Sequence, residues 1–230
     1  MPPGQDQQQI PRTSLMQNVS GNGHRTTNKL TIMLNEEQFY RLKKHLPSDL
    51  SEMMKEVYMN NADLISLNKG DILLDELKNN SKSHIILKGS CVRYIINPHG
   101  EERAVTFHTE DFMPILGNTY IKSDHSLVNY KIKVNEETDL IGIDISVITQ
   151  NALLDKSYFL FALQNMFKLI AIQNQIQNHQ IGLSKREFLK WLMLNYPDIF
   201  HRFKSQDIAS FIGSTPVWYS NLKATFLRDK

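Results

Sequence analysis

Hydrophobic positions recur along this chain with two different periods, and each change of period marks a boundary. From Asn35 the spacing is helical: Glu36 and Glu37 enrich a first turn, Phe39, Leu42 and Leu46 share one face, and Pro47 stops the run. A second short helix is predicted over 50–58, with Ser48 or Asp49 as its cap. The chain then turns to short runs of period two. Residues 63–68 lead into the turn Lys69-Gly70-Asp71, followed by 72–74, by 84–88 ending at Gly89, by 91–96, and by 103–107. Asn97-Pro98-His99-Gly100 closes the 91–96 run with strong turn chemistry. Val128, Tyr130, Ile132 and Val134 alternate with Asn129, Lys131 and Lys133, the mark of a half-buried strand, and 140–143 completes the set. Short strands joined by turns, with no helix between them, predict an antiparallel barrel or sandwich.

After Asp144 the period is helical again, and a long helix is predicted from 153 to about 181. Two apolar seams run along it, one through 159, 162, 166, 169, 173 and 176, the other through 160, 163, 167 and 170. One seam can pack on the chain's own strands. The other asks for a second copy in a coiled-coil-like pair, with Phe159, Leu163, Met166, Phe167 and Ile170 as the expected dimer contacts. The alternative is a helix packed wholly within its own domain.

Gly182 is expected to break that helix, and Ser184 with Glu187 forms a capping box for the next. Phe188, Trp191, Leu192 and Leu194 are predicted to face inward up to Tyr196-Pro197-Asp198. Ile208, Ala209 and Ile212 then make a short helix that ends at Gly213. Thr215 caps another, Pro216 occupies its first position, where a missing N–H does no harm, and Tyr219, Leu222 and Phe226 give it an inner face. Helix, glycine turn, helix, with a small Ala209 at the close approach, is a helix-turn-helix.

Composition adds exclusions. Residues 1–29 are rich in Gln, Asn, Ser, Thr, Gly and Pro and cannot bury enough apolar surface to offset chain entropy, so a disordered lead-in is expected. The rest is ordinary globular protein, 41% hydrophobic and 22% charged. The net charge of +2 hides an asymmetry: residues 30–181 carry −4 and residues 182–230 carry +4, so an anionic partner prefers the C-terminal end. Cys91 is the lone cysteine, which excludes an internal disulfide and any multi-cysteine metal site, and the eight histidines include no pair at helical ligand spacing. No metal, no cofactor and no catalytic residue is expected. Glu101 and Glu102 beside His99 read as a polar hairpin tip, with no nucleophile–base signature near them. No apolar run is long enough for a membrane span and no apolar leader opens the chain, so a cytoplasmic protein is expected.

Several of these segments together resemble one family. They are Leu67-Asn68-Lys69-Gly70-Asp71, Ile85-Ile86-Leu87-Lys88-Gly89 leading to Val92-Arg93-Tyr94, the stretch from Tyr130 to Ile141, and Asp207-Ile208-Ala209-Ser210-Phe211-Ile212-Gly213-Ser214-Thr215-Pro216. Over about 35–228 the chain resembles the Crp/Fnr superfamily of bacterial transcription regulators, in particular the kind found in Bacteroidetes. The resemblance implies an α+β fold: a cyclic-nucleotide-binding-like antiparallel β-roll over 30–150, a central dimerisation helix over 151–181 and a helix-turn-helix DNA-binding domain over 182–230. It implies no enzyme activity, but binding of double-stranded DNA as a homodimer, under an unknown small-molecule effector or none. The alternative is a ligand- or protein-binding sensor whose helix-turn-helix no longer reads DNA.

Departures from the family pattern narrow this. Nucleotide-binding members carry a Gly-Glu pair and an arginine for the phosphate. Here the stretch reads Asp111-Phe112-Met113-Pro114-Ile115-Leu116-Gly117 and then Ser123-Asp124-His125-Ser126-Leu127-Val128, with no arginine between Arg103 and Arg186. Lys122 offers only a point charge, so cyclic AMP is not the expected ligand. Cys91 alone excludes the cysteine cluster of oxygen-sensing relatives, and His84, His99 and His108 carry no heme signature. In the reading helix, Val217 and Asn221 stand where relatives often have Glu and Arg. Asn221 can address adenine, Ser220 either base type, and Val217 a thymine methyl. Lys204, Gln206 and Lys223, with Ser205 beside them, are expected phosphate contacts, and Thr215 and Pro216 complete the expected DNA-binding set. Trp218 is read as a packing residue. No wing hairpin is expected after Phe226.

Overall fold

Nine strands and eight helices form among the residues described by the computed structural model, which are 32–75, 81–117 and 128–228. In chain order they are β1 (Ile32–Met33), α1 (Glu36–Lys43), α2 (Glu52–Asn61), β2 (Asp63–Leu67), β3 (Ile72–Asp75), β4 (Lys82–Lys88), β5 (Ser90–Ile96), β6 (Glu102–Thr109), β7 (Ile115–Leu116), β8 (Asn129–Val134) and β9 (Thr138–Asp144). Helices follow: α3 (Ile145–Ala152), α4 (Lys156–Gly182), α5 (Lys185–Asn195), α6 (Pro197–Arg202), α7 (Ser205–Ile212) and α8 (Pro216–Arg228). The expected disordered lead-in, Lys122 and residues 123–127 lie outside the described residues.

The strands pair antiparallel in two sheets, ordered β1-β2-β9-β4-β7 and β3-β8-β5-β6. Strand β8 keeps the predicted alternation, with Tyr130, Ile132 and Val134 buried and Asn129 exposed. One core gathers Ile86, Cys91, Leu116, Ile132 and Leu140 from both sheets. The turn from β4 into β5 needs Gly89, whose φ is +102° and whose absent Cβ would strike Thr138.

A second core lies under α1 and α2, where Phe39, Leu42, Met54 and Tyr58 meet Ile141 and Ile143. Asn35 caps α1 in a full capping box with Gln38. The cap of α2 is Ser51, not Ser48 or Asp49: a turn in which the Leu50 N–H bonds the Pro47 carbonyl delays the helix. Ser51 Oγ accepts from the Met54 N–H and donates to Asp155 at 2.5 Å, while Asp155 itself caps α4 by accepting from Tyr158 N–H at 3.0 Å. That carboxylate, shared between two helix starts, explains why the long helix begins at Lys156 rather than 153. Leu153 and Leu154 sit in the exposed break after α3. At the other end Gly182 is still helical and Leu183 is the cap, its N–H bonding the His179 carbonyl at 3.1 Å.

Neither predicted seam of α4 is the buried one. The inner side runs through buried Tyr158 and half-buried Phe161, Asn165, Leu169, Ile172 and Ile176. Each end is anchored: the Tyr158 hydroxyl lies 2.6 Å from that of Tyr58, and Gln180 Nε2 donates to the Phe211 carbonyl at 2.7 Å. Between the anchors, Phe159, Leu160, Met166, Phe167 and Ile170 are exposed, from 43% to 61%.

Candidate nucleic-acid interface

The last four helices begin with the predicted capping box, Glu187 accepting from both the backbone N–H and the hydroxyl of Ser184. These bonds hold the Glu187 carboxyl below its ordinary range. Phe188, Leu189 and Leu192 then turn inward on α5, with Trp191 half-buried. Leu194, predicted to face inward, is 71% exposed, because it falls on the far side from the 188–192 pair. Helix α6, which the sequence marks only as a stop, starts at Pro197 and buries Ile199 and Phe200.

In α7, Ile208, Ala209, Phe211 and Ile212 are all buried. Gly213, at φ +72°, ends the helix in the left-handed conformation, and the Ser214 N–H reaches back to the Ala209 carbonyl at 2.9 Å. Thr215 Oγ1 then accepts from the Trp218 N–H at 3.2 Å, so the predicted cap of α8 is in place. Tyr219 is fully buried, with Leu222 and Phe226 half-buried beside it.

Burying that face presents the other. Thr215, Pro216, Val217, Ser220 and Asn221 are all exposed, Val217 at 71%. Lys204, Ser205 and Gln206 are exposed at the start of α7. Lys223 is half-buried, its ammonium 5.9 Å from the Tyr219 ring centre, and Trp218 packs against the core as read from the sequence. The expected contacts thus stand at two places, the α7 start and the first turns of α8.

Sequence reasoning missed how these helices are held. Val92, Ala104 and Phe107 of the β5–β6 hairpin belong to one core with Phe188, Phe203, Phe211 and Tyr219. The Phe107 ring lies 4.6 Å from that of Phe203 and 5.2 Å from that of Phe211. Polar bonds ring this apolar centre. Ala104 N–H donates to Ser210 Oγ at 3.1 Å, and Asn135 Nδ2 donates to the Arg202 carbonyl at 2.9 Å. Arg202 itself reaches Glu136 at 2.6 Å, Glu110 at 2.9 Å and the Gly89 carbonyl at 2.9 Å. Burial acts to raise the Glu136 carboxyl, but hydrogen bonds from Ser90 and Arg202 outweigh it and hold the group low. Arg202 and Lys185, which donates to the Gly213 carbonyl, therefore spend their charge within the chain.

Among the described residues no three His, Cys, Asp or Glu side chains are placed to share a metal ion, and no helix is long and apolar enough to cross a membrane. Cys91 is buried, and burial pushes its thiol up to about 12, far from a reactive thiolate.

Among the described residues an antiparallel roll, a long helix and a helix-turn-helix follow in that order, and solved structures of regulators share this fold. No protein-family profile matches the chain, and no curated protein does. Solved structures do. A transcriptional regulator assigned to the Crp/Fnr family from Eubacterium rectale superposes with a TM-score of 0.60 at 15% identity, over 79% of this chain and 85% of its own. FixK2 from Bradyrhizobium japonicum gives 0.59 at 12%, over 73% and 85%. CLP, the c-di-GMP-responsive global regulator of Xanthomonas campestris, gives 0.57 at 12%, over 78% and 93%.

Proposed function

We propose that this chain is a transcription regulator that binds double-stranded DNA as a homodimer and catalyses no reaction. The observation that carries the reading is the face of α8 that starts at Thr215: a helix buried along Tyr219, Leu222 and Phe226 keeps Val217, Ser220 and Asn221 exposed together. Small polar and apolar side chains at those positions suit base edges in a major groove. Lys204, Ser205 and Gln206 supply phosphate contacts that fix the register. The apolar side of α4 takes a second copy through exposed Phe159, Met166, Phe167 and Ile170 and half-buried Leu163, and the two-fold axis sets two reading helices one DNA turn apart, about 34 Å. In this division 30–150 is the sensor, 151–181 the dimerisation helix and 182–230 the DNA-binding part, and the site of action is the cytoplasm. Cyclic AMP is not its effector, because no arginine between 103 and 186 can clamp a phosphate.

Fluorescence anisotropy with a labelled duplex library fragment, titrated from about 50 to 200 mM salt, tests the reading. The affinity is expected to fall steeply over that range. Binding that is absent or indifferent to salt overturns it.

A further inference from the structure

We propose that the crevice where the roll, α4 and the helix-turn-helix meet is a binding site for a small uncharged molecule, a single apolar ring carrying one hydrogen-bonding group. The crevice holds about 190 Å3. An apolar cavity of about 150 Å3 accommodates benzene, so a single ring fits.

Its walls come from all three parts. Thr106 and Phe107 of β6, with Phe112 and Met113 of the loop after it, form one side. Leu192, Ile199 and Phe211, from α5, α6 and α7, face them, and α4 closes the gap with Ile176 and a row of glutamines. No wall residue carries a formal charge, so an ionic ligand finds no counter-ion in the wall. The polar groups are amides and a hydroxyl. Gln180 is committed to the Phe211 carbonyl, while Gln173 and Gln177 are exposed at the rim, where an amide can both donate and accept. Aromatic and aliphatic side chains on one side and amides with a hydroxyl on the other suit a ring with one polar end.

The backbone adds a second observation. Met113 has φ +50°, the one positive φ outside glycine among the described residues. That conformation is unfavourable for a side chain with a Cβ and persists only where its surroundings impose it. They do so here: His108 Nδ1 donates to the Met113 carbonyl at 2.8 Å, the Thr109 N–H to the Phe112 carbonyl at 2.8 Å, and the Phe112 N–H to Thr109 Oγ1 at 2.9 Å. Burial, with the Arg93 charge beside it, pushes His108 down to about 3, so the ring is neutral and the Nδ1–H bond is stable across the physiological range. The strained turn sets Phe112 and Met113 into the crevice wall. A molecule bound there touches β6, α4 and α7 at once, so it binds only while the helix-turn-helix is docked on the roll and stabilises that docking.

The site stands apart from DNA reading, and its test uses no DNA. The probe is benzyl alcohol and the charged control is sodium benzoate, added to full-length protein labelled with 13C at the methionine methyls, with Met113 assigned through Met113→Leu. The expected result is saturable millimolar binding of benzyl alcohol, cross-relaxation between its ring and the Met113 methyl, and weaker binding of benzoate. Thr106→Phe and Gln177→Trp fill the crevice from one half-buried and one exposed position, and each is expected to weaken binding about tenfold or more. Melting curves show which variant is folded, and a folded one suffices. Absence of cross-relaxation to Met113 at saturation, unchanged affinity in a folded filled variant, or benzoate binding as tightly as benzyl alcohol overturns the proposal.

Discussion

The hydroxyl of Tyr94, in β5, donates to the carboxylate of Asp207, in the first turn of α7, across 2.8 Å and 113 residues of sequence. Burial and this carboxylate both push the Tyr94 hydroxyl well above its ordinary pKa, so it remains a donor at any physiological pH. The bond stands beside the Arg202 cluster as one of the polar ties around Phe107. Apolar contact supplies most of the attraction between hairpin and helices. The polar ties fix which way α7 lies on the hairpin, because an unmatched partner at a half-buried site is costly.

Loosening those ties is expected to lower stability in graded steps. Tyr94→Phe removes one hydrogen bond and leaves Asp207 open to water, a loss of about 1 kcal/mol. Arg202→Ala leaves Glu136 and Glu110 without their cation and costs about 1–2 kcal/mol, moderated because the cluster is partly exposed. Urea midpoints of the two variants against the parent protein check the order.

Acid is expected to destabilise the fold well before carboxylates titrate. His108 is buried and its folded pKa, about 3, lies below its ordinary value of 6.5, so folding favours the neutral ring. Its contribution is complete above pH 6.5 and is lost as pH falls from there toward 3, reaching about 2 kcal/mol at pH 5. His45, lowered to about 4 chiefly by burial, acts in the same direction. Unfolding free energies at pH 7 and pH 5 measure the slope, and His108→Gln is expected to flatten it.

Exposed positions on α8 are expected to separate binding from stability. Asn221→Ala and Ser220→Ala leave the melting temperature nearly unchanged, since neither side chain is buried. Asn221→Ala relaxes preference at one base pair by about 1–3 kcal/mol. Lys204→Ala instead weakens all sequences alike and lowers the salt slope by about 1. Anisotropy titrations on matched and mismatched duplexes distinguish the two behaviours.

What the sequence made legible was whatever is local. The alternation of β8, the Ser184–Glu187 box and the Thr215-Pro216 helix start each depend on residues within a few positions of one another, and each is found as read. Strands β1 and β7, two residues apiece, exist only through pairing with β2 and β4, so no period announces them. The start of α4 depends on Ser51 sharing Asp155, a contact across 104 residues. The inner side of α4 eluded the seams because Asn165, on the buried face, is polar, while Phe167 and Ile170, on the open face, are not. The exposed face of α8 could be inferred as the complement of its apolar one. The docking of α6 on the roll could not, since Arg202 looks like any other surface cation until Glu136 and Glu110 are seen around it.

The open face of α4 gives a further expectation. Phe167→Glu combined with Ile170→Glu places two charges where a second copy would pack, while both side chains are solvent-accessible within one chain. Sedimentation analysis is expected to show a dimer for the parent protein and a folded monomer for the variant, with DNA affinity reduced through loss of the second half-site.

The most direct test of a DNA-reading homodimer is selection of bound duplexes from a random pool by the purified protein at two salt concentrations. The account predicts an enriched palindrome whose half-site centres lie about 10 base pairs apart, more sharply defined at the higher salt. A folded, dimeric protein that enriches no sequence at either salt would contradict it.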